Sequence, residues 1–489
     1  MPELPEVETI VRYLNEYLPG KKIKDIRIFR EKNVLSGALS FQKELVGESF
    51  LKVTRRAKFL IFHLSNDKVV IAHLRMEGKY YFEEKDLSQK KHDILIYDFV
   101  DGSSLHYNDV RTFGTLELSN EKDYLQVSSL SSLGKEPFSI SSEEFFSLLQ
   151  KKGKYPIKQA LLDQSLIVGI GNIYASEILF ASKMNPRTPC EDISLEKSNL
   201  LLKETKRILS EAIALGGSTI RSYHPKEGVS GKMQNELQVY GQENKPCPRC
   251  GTPIRRIFMN GRSTFYCPLC QKEEGHGIII GVTGPIASGK STVTSYLSEK
   301  GFIDLDSDRY AHESYEDKDV KKRLKESFPR AFSKGHLDRK KLLRIVSKDD
   351  EKMRILNSII HPYVYKRTEE KIRRHPEKNF VIDMPLLLTS PFLDRCDFII
   401  GVNAPLEIRK ERLKERGVDI EKALKLNSSF PFKELKKAAT VYLETTGSKE
   451  ESRKILDSYA FLTGNKIFYA SFKMIFPFFG FQVITDNIR

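Results

Sequence analysis

Apolar and polar residues alternate with a short period over the first 131 residues. The apolar runs include IKDIRIF, KFLIFHL, KVVIAHL, ILIYDFV and GTLEL, which are rich in β-branched and aromatic residues. A period near two with this composition is typical of strands. EVETIVRYLNEYL instead carries apolar residues at helical spacing directly after two prolines. The pattern predicts one helix followed by a β-sandwich or barrel, in a domain spanning residues 1–131.

The pattern changes to a helical period over residues 132–235. The runs EEFFSLLQKK, GNIYASEILFASK and EKSNLLLKETKRILSEAIALGG predict a mostly helical second domain. The turn GIGN precedes one of these helices, and it would point backbone N–H groups and the Asn172 side chain at an anion. Gly-x-Gly turns before helices are common, so this turn alone does not define a site.

Four of the six cysteines form two Cys-x-x-Cys pairs separated by sixteen residues: Cys247, Cys250, Cys267 and Cys270. This spacing is typical of a four-cysteine zinc ribbon, which we place at residues 236–272. Four thiolates leave zinc without an open position, so the metal would be structural and would hold a hairpin with Arg262 near its tip. Cys190 and Cys396 stand alone, and we interpret them as inert thiols.

A third pattern begins at residue 278, after a short linker at 273–277. An apolar strand runs into GPIASGKST and then into a helix, as in a P-loop. Backbone N–H groups of such a loop bind phosphates, its lysine reaches the transferred phosphate, and its serine binds Mg²⁺. The predicted ATP-binding residues are Gly284, Gly289, Lys290, Ser291 and Thr292, with Ser291 as the Mg²⁺ ligand.

Strand patterns and charged helices alternate after this loop. FIDLDSD, NFVIDMP and DFIIGVNAP have the composition of buried strands, so residues 278–458 are predicted to form an α/β domain with a doubly wound parallel sheet. The remaining residues, 459–489, are apolar but interrupted by Lys473, Pro477 and Gly480. A membrane span needs about 20 apolar residues, so we expect no span in this tail and leave it unassigned.

The composition favours a polyanionic partner. Lys and Arg number 80 against 65 Asp and Glu, which gives a net charge of +15 and a pI near 9.2. The start, MPELPEVE, is unlike a secretory leader, and we expect a cytoplasmic protein. If Met1 is removed, Pro2 becomes the terminal residue and carries a secondary amine, in a class with pKa near about 7.7 to 8.0. That amine is a candidate nucleophile, while an ordinary frayed terminus is the alternative.

Residues 1–272 resemble formamidopyrimidine-DNA glycosylases in PELPEVE, RRAKFLIF, HLRMEGKY, YNDVRTFG, GIGNIYASEILF, ELQVYG and the ribbon. The resemblance implies a β-sandwich, a helix-two-turn-helix domain and a zinc ribbon. It also implies excision of oxidised purines, such as 8-oxoguanine and formamidopyrimidines, from double-stranded DNA, followed by cleavage of the strand. Pro2 would attack C1′ of the damaged nucleotide, and Glu3 would act as the acid/base that helps the base depart.

Further positions take roles from the same resemblance. Met76, Arg111 and Phe113 would fill the gap left by the extruded base, although residues such as Met76 and Phe113 are more often buried in cores. Lys58, Asn172 and Arg262 would grip phosphates, and we count Lys58 and Arg262 with the catalytic residues. We group His92 and Lys158 with the DNA-binding residues. The glycine-rich segment 216–234 would cover the extruded base.

Residues 278–458 resemble dephospho-CoA kinase in GVTGPIASGKST, IDLDSDRYAH, LNSIIHPYV and VIDMPLLL. The resemblance implies ATP and Mg²⁺ as cofactors, with Asp308 accepting the proton of the ribose 3′-hydroxyl of dephospho-CoA and Asp306 as the alternative. His361 has a positioning or a structural role. Arg412 and Arg416 are either lid arginines or a solvated helix face. The sequences LLLTS after Pro385 and NSSFPFKEL depart from the family's pattern.

The sequence therefore predicts a bifunctional, monomeric fusion of two enzymes with separable activities. Other functions remain open for each half. The front half could be a pyrimidine-preferring glycosylase, which Leu4 opposes, or a non-catalytic binder of damaged DNA if Met1 is retained. The rear half could phosphorylate a nucleoside.

Overall fold

A computed structural model describes residues 2–85, 88–218, 232–273, 275–333, 335–347, 349–426, 430–446 and 448–457. Most of the expected covering segment 216–234, the Asn427–Ser429 part of NSSFPFKEL and the tail 459–489 lie outside the described residues. The chain divides into two compact units. The first contains the described residues up to Glu243 together with Arg256–Tyr266, and the second contains Asn244–Arg255 and the described residues from Cys267 onwards.

The first unit begins with helix α1, Leu4–Tyr17, as the apolar spacing predicts. Glu6 closes its first turn, because the Glu6 carboxylate accepts a hydrogen bond from the Glu3 N–H at 2.8 Å. Helix α2, Ala38–Leu45, packs beside the first strand. The described residues of this part contain eight strands. In chain order they are β1 Ile23–Ile28, β2 Phe50–Arg56, β3 Phe59–Leu64, β4 Lys68–His73, β5 Lys79–Glu83, β6 Asp93–Phe99, β7 Ser104–Asn108 and β8 Thr115–Asn120.

These strands form two four-stranded antiparallel sheets, ordered β1-β6-β7-β5 and β2-β3-β4-β8. One core contains apolar side chains from both sheets and from α1. Phe50 lies in this core and makes edge contacts with Phe62, Tyr97 and Phe99. The predicted sandwich is confirmed.

The helical part of the first unit has its own core. Leu4 of α1 belongs to this core rather than to that of the sandwich, so the first helix contributes apolar residues to both. The helices are α3 Ser128–Ser131, α4 Ser142–Gln150, α5 Ile157–Leu162, α6 Asn172–Ala181 and α7 Leu195–Ala214. Ser141 and Ser194 cap α4 and α7 by accepting the N–H of Glu144 and Lys197. A hairpin of β9, Arg255–Met259, and β10, Arg262–Tyr266, packs on α6.

The second unit contains a parallel sheet of five strands, β11 Ile279–Thr283, β12 Ile303–Asp306, β15 Phe380–Asp383, β16 Phe398–Asn403 and β17 Val441–Glu444. Their order in the sheet is β12-β15-β11-β16-β17. Ile280 of β11 lies in the core on one face, and its neighbour Ile279 packs against the core on the other. Both faces are therefore buried, as a doubly wound sheet requires. A small antiparallel hairpin of β13, Phe332–Ser333, and β14, His336–Leu337, lies between β12 and β15 in the sequence.

Helices cover the two faces of this sheet. In chain order they are α8 Lys290–Glu299, α9 Ser307–Ser314, α10 Lys318–Ser327, α11 Arg339–Val346, α12 Asp350–Arg374, α13 Leu406–Glu415, α14 Ile420–Leu426, α15 Phe432–Ala438 and α16 Lys449–Asp457. Among the described residues, no helix combines the length and the apolar character that crossing a bilayer demands.

Candidate active sites

The carboxylate of Glu3 lies at the start of helix α6, where it accepts three backbone hydrogen bonds. The donors are the N–H groups of Gly171 at 2.7 Å, Ile173 at 2.9 Å and Tyr174 at 3.3 Å. Unpaired N–H groups at a helix N-terminus bind anions. Backbone N–H groups of the GIGN turn do bind an anion, as its sequence indicates, and this anion is a side chain of the same protein. The Asn172 side chain, which was also expected to point at the anion, instead donates to a carbonyl of the hairpin.

Glycines in the turn make room for this contact. A Cβ atom at Gly171 would lie 2.3 Å from Cδ of Glu3, and one at Gly169 would lie 2.5 Å from Leu4. Gly169 also has φ of 88°, which favours glycine. Its carbonyl accepts the Leu4 N–H at 2.9 Å, so the backbone after Glu3 is fixed as well.

Burial controls the proton affinity of Glu3. Its side chain is almost fully buried, which raises the pKa of the carboxyl above its ordinary value, whereas the positive charge of Lys58 lowers it. Pro2 is half-buried and immediately precedes this carboxyl. A carboxyl with a raised pKa next to a candidate amine is suited to act as a general acid.

Two buried lysines lie close to Glu3. Nζ of Lys58 donates to the Ile170 carbonyl at 2.8 Å, and Nζ of Lys158 donates to Oγ of Ser176 at 2.7 Å. Burial lowers the pKa of Lys58 to about 8 and that of Lys158 to about 7, while the charge of Glu3 raises both. Each amine therefore changes between its charged and its neutral form near physiological pH.

Arg262 and Asn172 complete this side of the site. Arg262 is exposed on the hairpin, and its charge lowers the pKa of both Lys58 and Lys158. Nδ2 of Asn172 donates to the Ser263 carbonyl at 2.8 Å, which ties the hairpin to helix α6. The structure thus gathers Glu3, Lys58, Lys158 and Arg262 around the entrance to α6.

Glu6 connects the start of the chain to the helical part. Its second carboxylate oxygen accepts hydrogen bonds from the Tyr174 hydroxyl at 2.6 Å and the Ser218 N–H at 2.7 Å. Ser218 is the last described residue before the segment 219–231. Glu6 therefore caps α1 through one carboxylate oxygen and binds Tyr174 and Ser218 through the other.

Two exposed loops of the sandwich carry the predicted gap-filling residues. Met76 is 42% exposed and Phe113 is 55% exposed, so neither side chain is part of the core. The guanidinium of Arg111 lies 5.0 Å from the Phe113 ring centre. Both loops approach the phenol of Tyr107, since Cβ atoms at Gly78 and Gly114 would lie 2.9 Å and 1.6 Å from its oxygen.

Buried polar side chains hold the second loop, and the sequence analysis did not identify them. The Asp109 carboxylate accepts the N–H groups of Arg111, Phe113 and Gly114 at 2.8–3.0 Å. The Asp109 N–H in turn donates to the carbonyl of His92, an exposed residue with φ of 73°. An Asp two residues before the exposed Arg111 was the available signal, because such residues accept N–H groups of the following turn.

The four cysteines of the ribbon meet at one point. Their sulfur atoms all lie within 4.8 Å of one another, with 3.9 Å between Cys247 and Cys270 and 3.5 Å between Cys250 and Cys267. Zn–S bonds of about 2.3 Å in a tetrahedron place sulfurs about 3.8 Å apart. The residues fit a closed structural zinc site.

The predicted P-loop joins β11 to α8 and lines a cavity of about 400 Å³. A Cβ atom at Gly284 would lie 1.9 Å from the Val402 carbonyl, and Gly289 has φ of 101°, so both positions require glycine. Nζ of Lys290 contacts the Gly284 and Pro285 carbonyls at 2.9 and 3.2 Å, and burial lowers its pKa. Ser291 is the second residue of α8 and also lines the cavity, and Thr292 follows it in the helix.

Acidic residues face the P-loop from the carboxyl ends of two parallel strands. Asp308 and Asp383 line the cavity, and Asp306 pairs with Asp383 across β12 and β15. Oδ1 of Asp306 accepts the N–H groups of Asp308 and Arg309, so this carboxylate caps α9. Burial raises the pKa of Asp308, and it raises that of Asp383 to about 6. The serine hydroxyl and these carboxylates suit Mg²⁺ as ligands.

Asp383 was missed as a site residue in the sequence analysis, although its strand was identified. The available signal was its place at the end of a buried apolar strand, where ligands of an open α/β sheet bind. Of the two arginines considered for a lid, Arg416 lines the cavity. Arg412 instead donates to the Ala287 carbonyl at 3.1 Å and to Oγ1 of Thr445 at 3.0 Å. His361 is half-buried against the Tyr365 ring.

Family models match the chain in four places. The formamidopyrimidine-DNA glycosylase N-terminal domain matches residues 1–116, its H2TH domain matches 133–224, and the zinc finger found in FPG and IleRS matches 244–272. The model of dephospho-CoA kinase matches residues 278–451.

Similar proteins cover the front part of the chain. A formamidopyrimidine-DNA glycosylase of Mycoplasma mobile is 45% identical over 273 residues, which is 56% of this chain and 99% of that protein. One of Ligilactobacillus salivarius is 43% identical over 272 residues, 55% of this chain and 99% of the relative. The structure of Lactococcus lactis Fpg in complex with an abasic site containing DNA matches with a TM-score of 0.53 at 41% identity, covering 55% of this chain and all of that one.

The fold, the sites and these matches define two enzyme classes in one polypeptide, a DNA glycosylase and a phosphoryl-transferring kinase. The chain belongs to the formamidopyrimidine-DNA glycosylase family through its first 272 residues, and a dephospho-CoA kinase domain follows. The cysteine cluster is accordingly a structural zinc site, and the kinase domain uses ATP and Mg²⁺.

Proposed function

We propose that the glycosylase part, residues 1–272, excises oxidised purines from double-stranded DNA and then cleaves the strand, and that the kinase domain phosphorylates the ribose 3′-hydroxyl of dephospho-CoA. The observation that carries the first part is the buried Glu3 carboxyl held at the entrance to α6 beside Pro2. The two activities are independent of each other, and the protein acts as a monomer.

In the first reaction, Pro2 becomes the terminal residue when Met1 is removed. Its secondary amine forms a bond to C1′ of the damaged nucleotide as the bond between C1′ and the base breaks, and the amine proton passes to the departing base. Glu3 donates a proton to the sugar ring oxygen, the ring bond between C1′ and this oxygen breaks, and an iminium forms between Pro2 and C1′. The resulting iminium withdraws electrons from the adjacent sugar carbon, which loses a proton, and the phosphates leave by β- and then δ-elimination. Lys58, Asn172 and Arg262 grip the backbone, and His92 and Lys158 belong to the same DNA-binding surface.

Extrusion of the base leaves a gap in the duplex, and unstacking costs a few kcal/mol. We assign the filling of this gap to Met76, Arg111 and Phe113, which are exposed on two loops that both contact Tyr107. Exposed apolar side chains that enter a base stack are a known means of holding bent DNA.

Borohydride trapping tests this chemistry. The native chain should become covalently joined to duplex DNA containing 8-oxoguanine when borohydride is present, because an iminium is reduced to a stable amine. Pro2→Gly should trap much less, and mass spectrometry should show native protein without Met1. Full excision by protein that retains Met1 would refute the role of Pro2, and trapping on oxidised pyrimidines alone would favour the pyrimidine-preferring alternative.

In the second reaction, the P-loop amides and Lys290 bind the ATP phosphates, and Ser291 with the nearby carboxylates would hold Mg²⁺, which supplies charge neutralisation when bound. Asp308 takes the proton of the 3′-hydroxyl. We prefer Asp308 to Asp306 because the Asp306 carboxylate caps α9, whereas Asp308 lines the cavity. Coupled assays that compare dephospho-CoA with nucleosides test which substrate is phosphorylated. Turnover of nucleosides alone would refute the assignment of dephospho-CoA.

A further inference from the structure

Asn33 reaches the loop that carries Arg111 and Phe113 from a distant part of the sequence. It is the last residue of a short 3₁₀ helix, Glu31–Asn33, and only 3% of it is exposed. Nδ2 of Asn33 donates to the Thr112 carbonyl at 3.1 Å and to the Gly114 carbonyl at 2.6 Å. One buried amide group therefore contacts the backbone on both sides of Phe113.

This contact complements the one made by Asp109. The Asp109 carboxylate accepts the N–H groups of the loop, and the Asn33 amide donates to its carbonyl groups. Thr112 has φ of 55°, a left-handed conformation that a β-branched residue adopts only when surrounding contacts impose it. The Asp109 and Asn33 side chains together supply these contacts, and they hold the loop on which the ring of Phe113 is exposed.

The position of Asn33 is itself fixed. The Asn33 N–H donates to the Arg30 carbonyl at 3.1 Å, and the next residue, Val34, forms a parallel bridge with Leu116 at the start of β8. The Leu35 N–H donates to the Leu116 carbonyl at 2.7 Å. The segment that carries Asn33 is thus bonded to the strand into which the Phe113 loop runs.

We propose that Asn33 is a positioning residue for base extrusion, which holds the Phe113 loop in the conformation that fills the gap in the duplex. This inference rests on the proposed glycosylase function and on the gap-filling role of Phe113. A misplaced ring would enter the stack poorly, and small displacements of positioning groups lower rates strongly. The chemistry at Pro2 and Glu3 would remain intact.

Asn33→Asp is the sharpest test, because it keeps the shape of the side chain and replaces the donating Nδ2 group by a carboxylate oxygen. This oxygen would face the carbonyl oxygens of Thr112 and Gly114 and could donate no hydrogen bond to them. Asn33→Ala is the second variant, in case the first does not fold. Asn15→Asp is the matched control, since Nδ2 of Asn15 also donates to two carbonyls of the sandwich, those of Val11 and Val53, at 3.0 and 2.7 Å.

Single-turnover excision is measured on two substrates with the full chain. One is an intact duplex containing 8-oxoguanine opposite cytosine, and the other has a one-nucleotide gap opposite the lesion, so that extrusion requires little unstacking. We expect Asn33→Asp to lose roughly tenfold to a hundredfold in rate on the intact duplex and little on the gapped one. Asn15→Asp should change both rates by the same factor, because it alters only the stability of the folded protein.

Fluorescence of 2-aminopurine placed next to the lesion gives a second readout, because its emission rises when neighbouring bases unstack. The native chain and Asn15→Asp should produce this rise, and Asn33→Asp should produce a smaller one. Equal loss on both substrates, or no loss on either, would overturn the inference. Failure of the native chain to process both substrates would instead refute the proposed glycosylase function.

Discussion

Glu3 and Gly171 are joined by a hydrogen bond of 2.7 Å, although 168 residues separate them in the chain. Because this bond fixes the carboxyl at the entrance to α6, the sandwich helix α1 and the helical part must be assembled before the proposed acid is in place. The active site therefore depends on tertiary packing as much as on the first eight residues.

Gly171→Ala should slow base excision strongly without unfolding the unit. The new Cβ would lie 2.3 Å from Cδ of Glu3, so the carboxyl must move away from the amides that hold it. We expect excision to fall by about two orders of magnitude, since displacement of a general acid removes its contribution. Quenched-flow measurement of excision, with cleavage of a preformed abasic site as a second activity, checks this result.

Gly47→Ala serves as the control for Gly171→Ala. Gly47 has φ of 91° and open space around it, so alanine there strains the backbone without contacting the site. It should lower the melting temperature and leave the excision rate near that of the native chain. If both variants lose excision to the same extent, general destabilisation rather than displacement of Glu3 explains the loss.

The affinity for DNA should fall as the pH rises from 7 to 9, partly because of Lys58. Burial lowers the pKa of its amine to about 8, so the cation is lost in this range instead of near 10.5. An uncharged amine no longer attracts phosphate, and each phosphate contact contributes to the salt-dependent part of binding. Fluorescence anisotropy with abasic-site DNA at several pH values measures the effect.

Lys58→Met should bind DNA less tightly at pH 7 and show a flatter dependence on pH. Lys52→Met is the matched control, because Lys52 is an exposed lysine of the adjacent strand β2. A steep pH dependence that survives in Lys58→Met would assign it to another group, of which Lys158 is the next candidate.

The sequence predicted those features that depend on local pattern. The period of the apolar residues gave the sandwich and the helical part, and the spacing of the cysteines gave the zinc site. GIGN indicated an anion at the start of α6, but the anion proved to be Glu3, because no local pattern shows which side chain the fold brings to a helix end. Asn33 and Asp383 were missed since their importance arises from contacts with residues distant in sequence.

The kinase reaction should require more Mg²⁺ as the pH falls below about 6. Burial raises the pKa of Asp383 to about 6, so this carboxylate loses its charge as the pH falls through that value, well above the ordinary range of aspartate. A protonated carboxyl binds Mg²⁺ poorly, and excess Mg²⁺ should restore the rate. Initial rates at pH 5.5 and 7.5 over a range of Mg²⁺ concentrations test this.

The Asp383→Asn variant should have a low kinase rate at both pH values. Its Mg²⁺ requirement should also no longer differ between the two pH values. Asp319→Asn is a suitable control, since Asp319 is exposed on α10 and has no part in the cavity. An unchanged pH dependence in Asp383→Asn would show that another acid, such as Asp308, determines it.

Each chain should contain one zinc ion, and its removal should impair DNA cleavage. The two cysteine pairs flank in sequence the hairpin that carries Arg262, so loss of the metal frees both ends of that hairpin. Cys250→Ser and Cys267→Ser should bind less zinc and cleave lesion DNA at least about tenfold more slowly. Cys190→Ser, in the helical core, should keep its zinc. Metal analysis showing full zinc in Cys250→Ser would contradict the four-cysteine site.

The two activities should be separable by single substitutions. Glu3→Gln removes the proposed acid of the first unit, and Lys290→Met removes the phosphate-binding amine of the second, so each should lower one rate by about two orders of magnitude or more. The other rate in each variant should remain within about twofold of the native value, because no residue serves both proposed sites. Cleavage of the chain within residues 273–277 extends the test. Both activities should survive it, whereas loss of either would show that the fusion is required for function and would leave the description of two independent enzymes untenable.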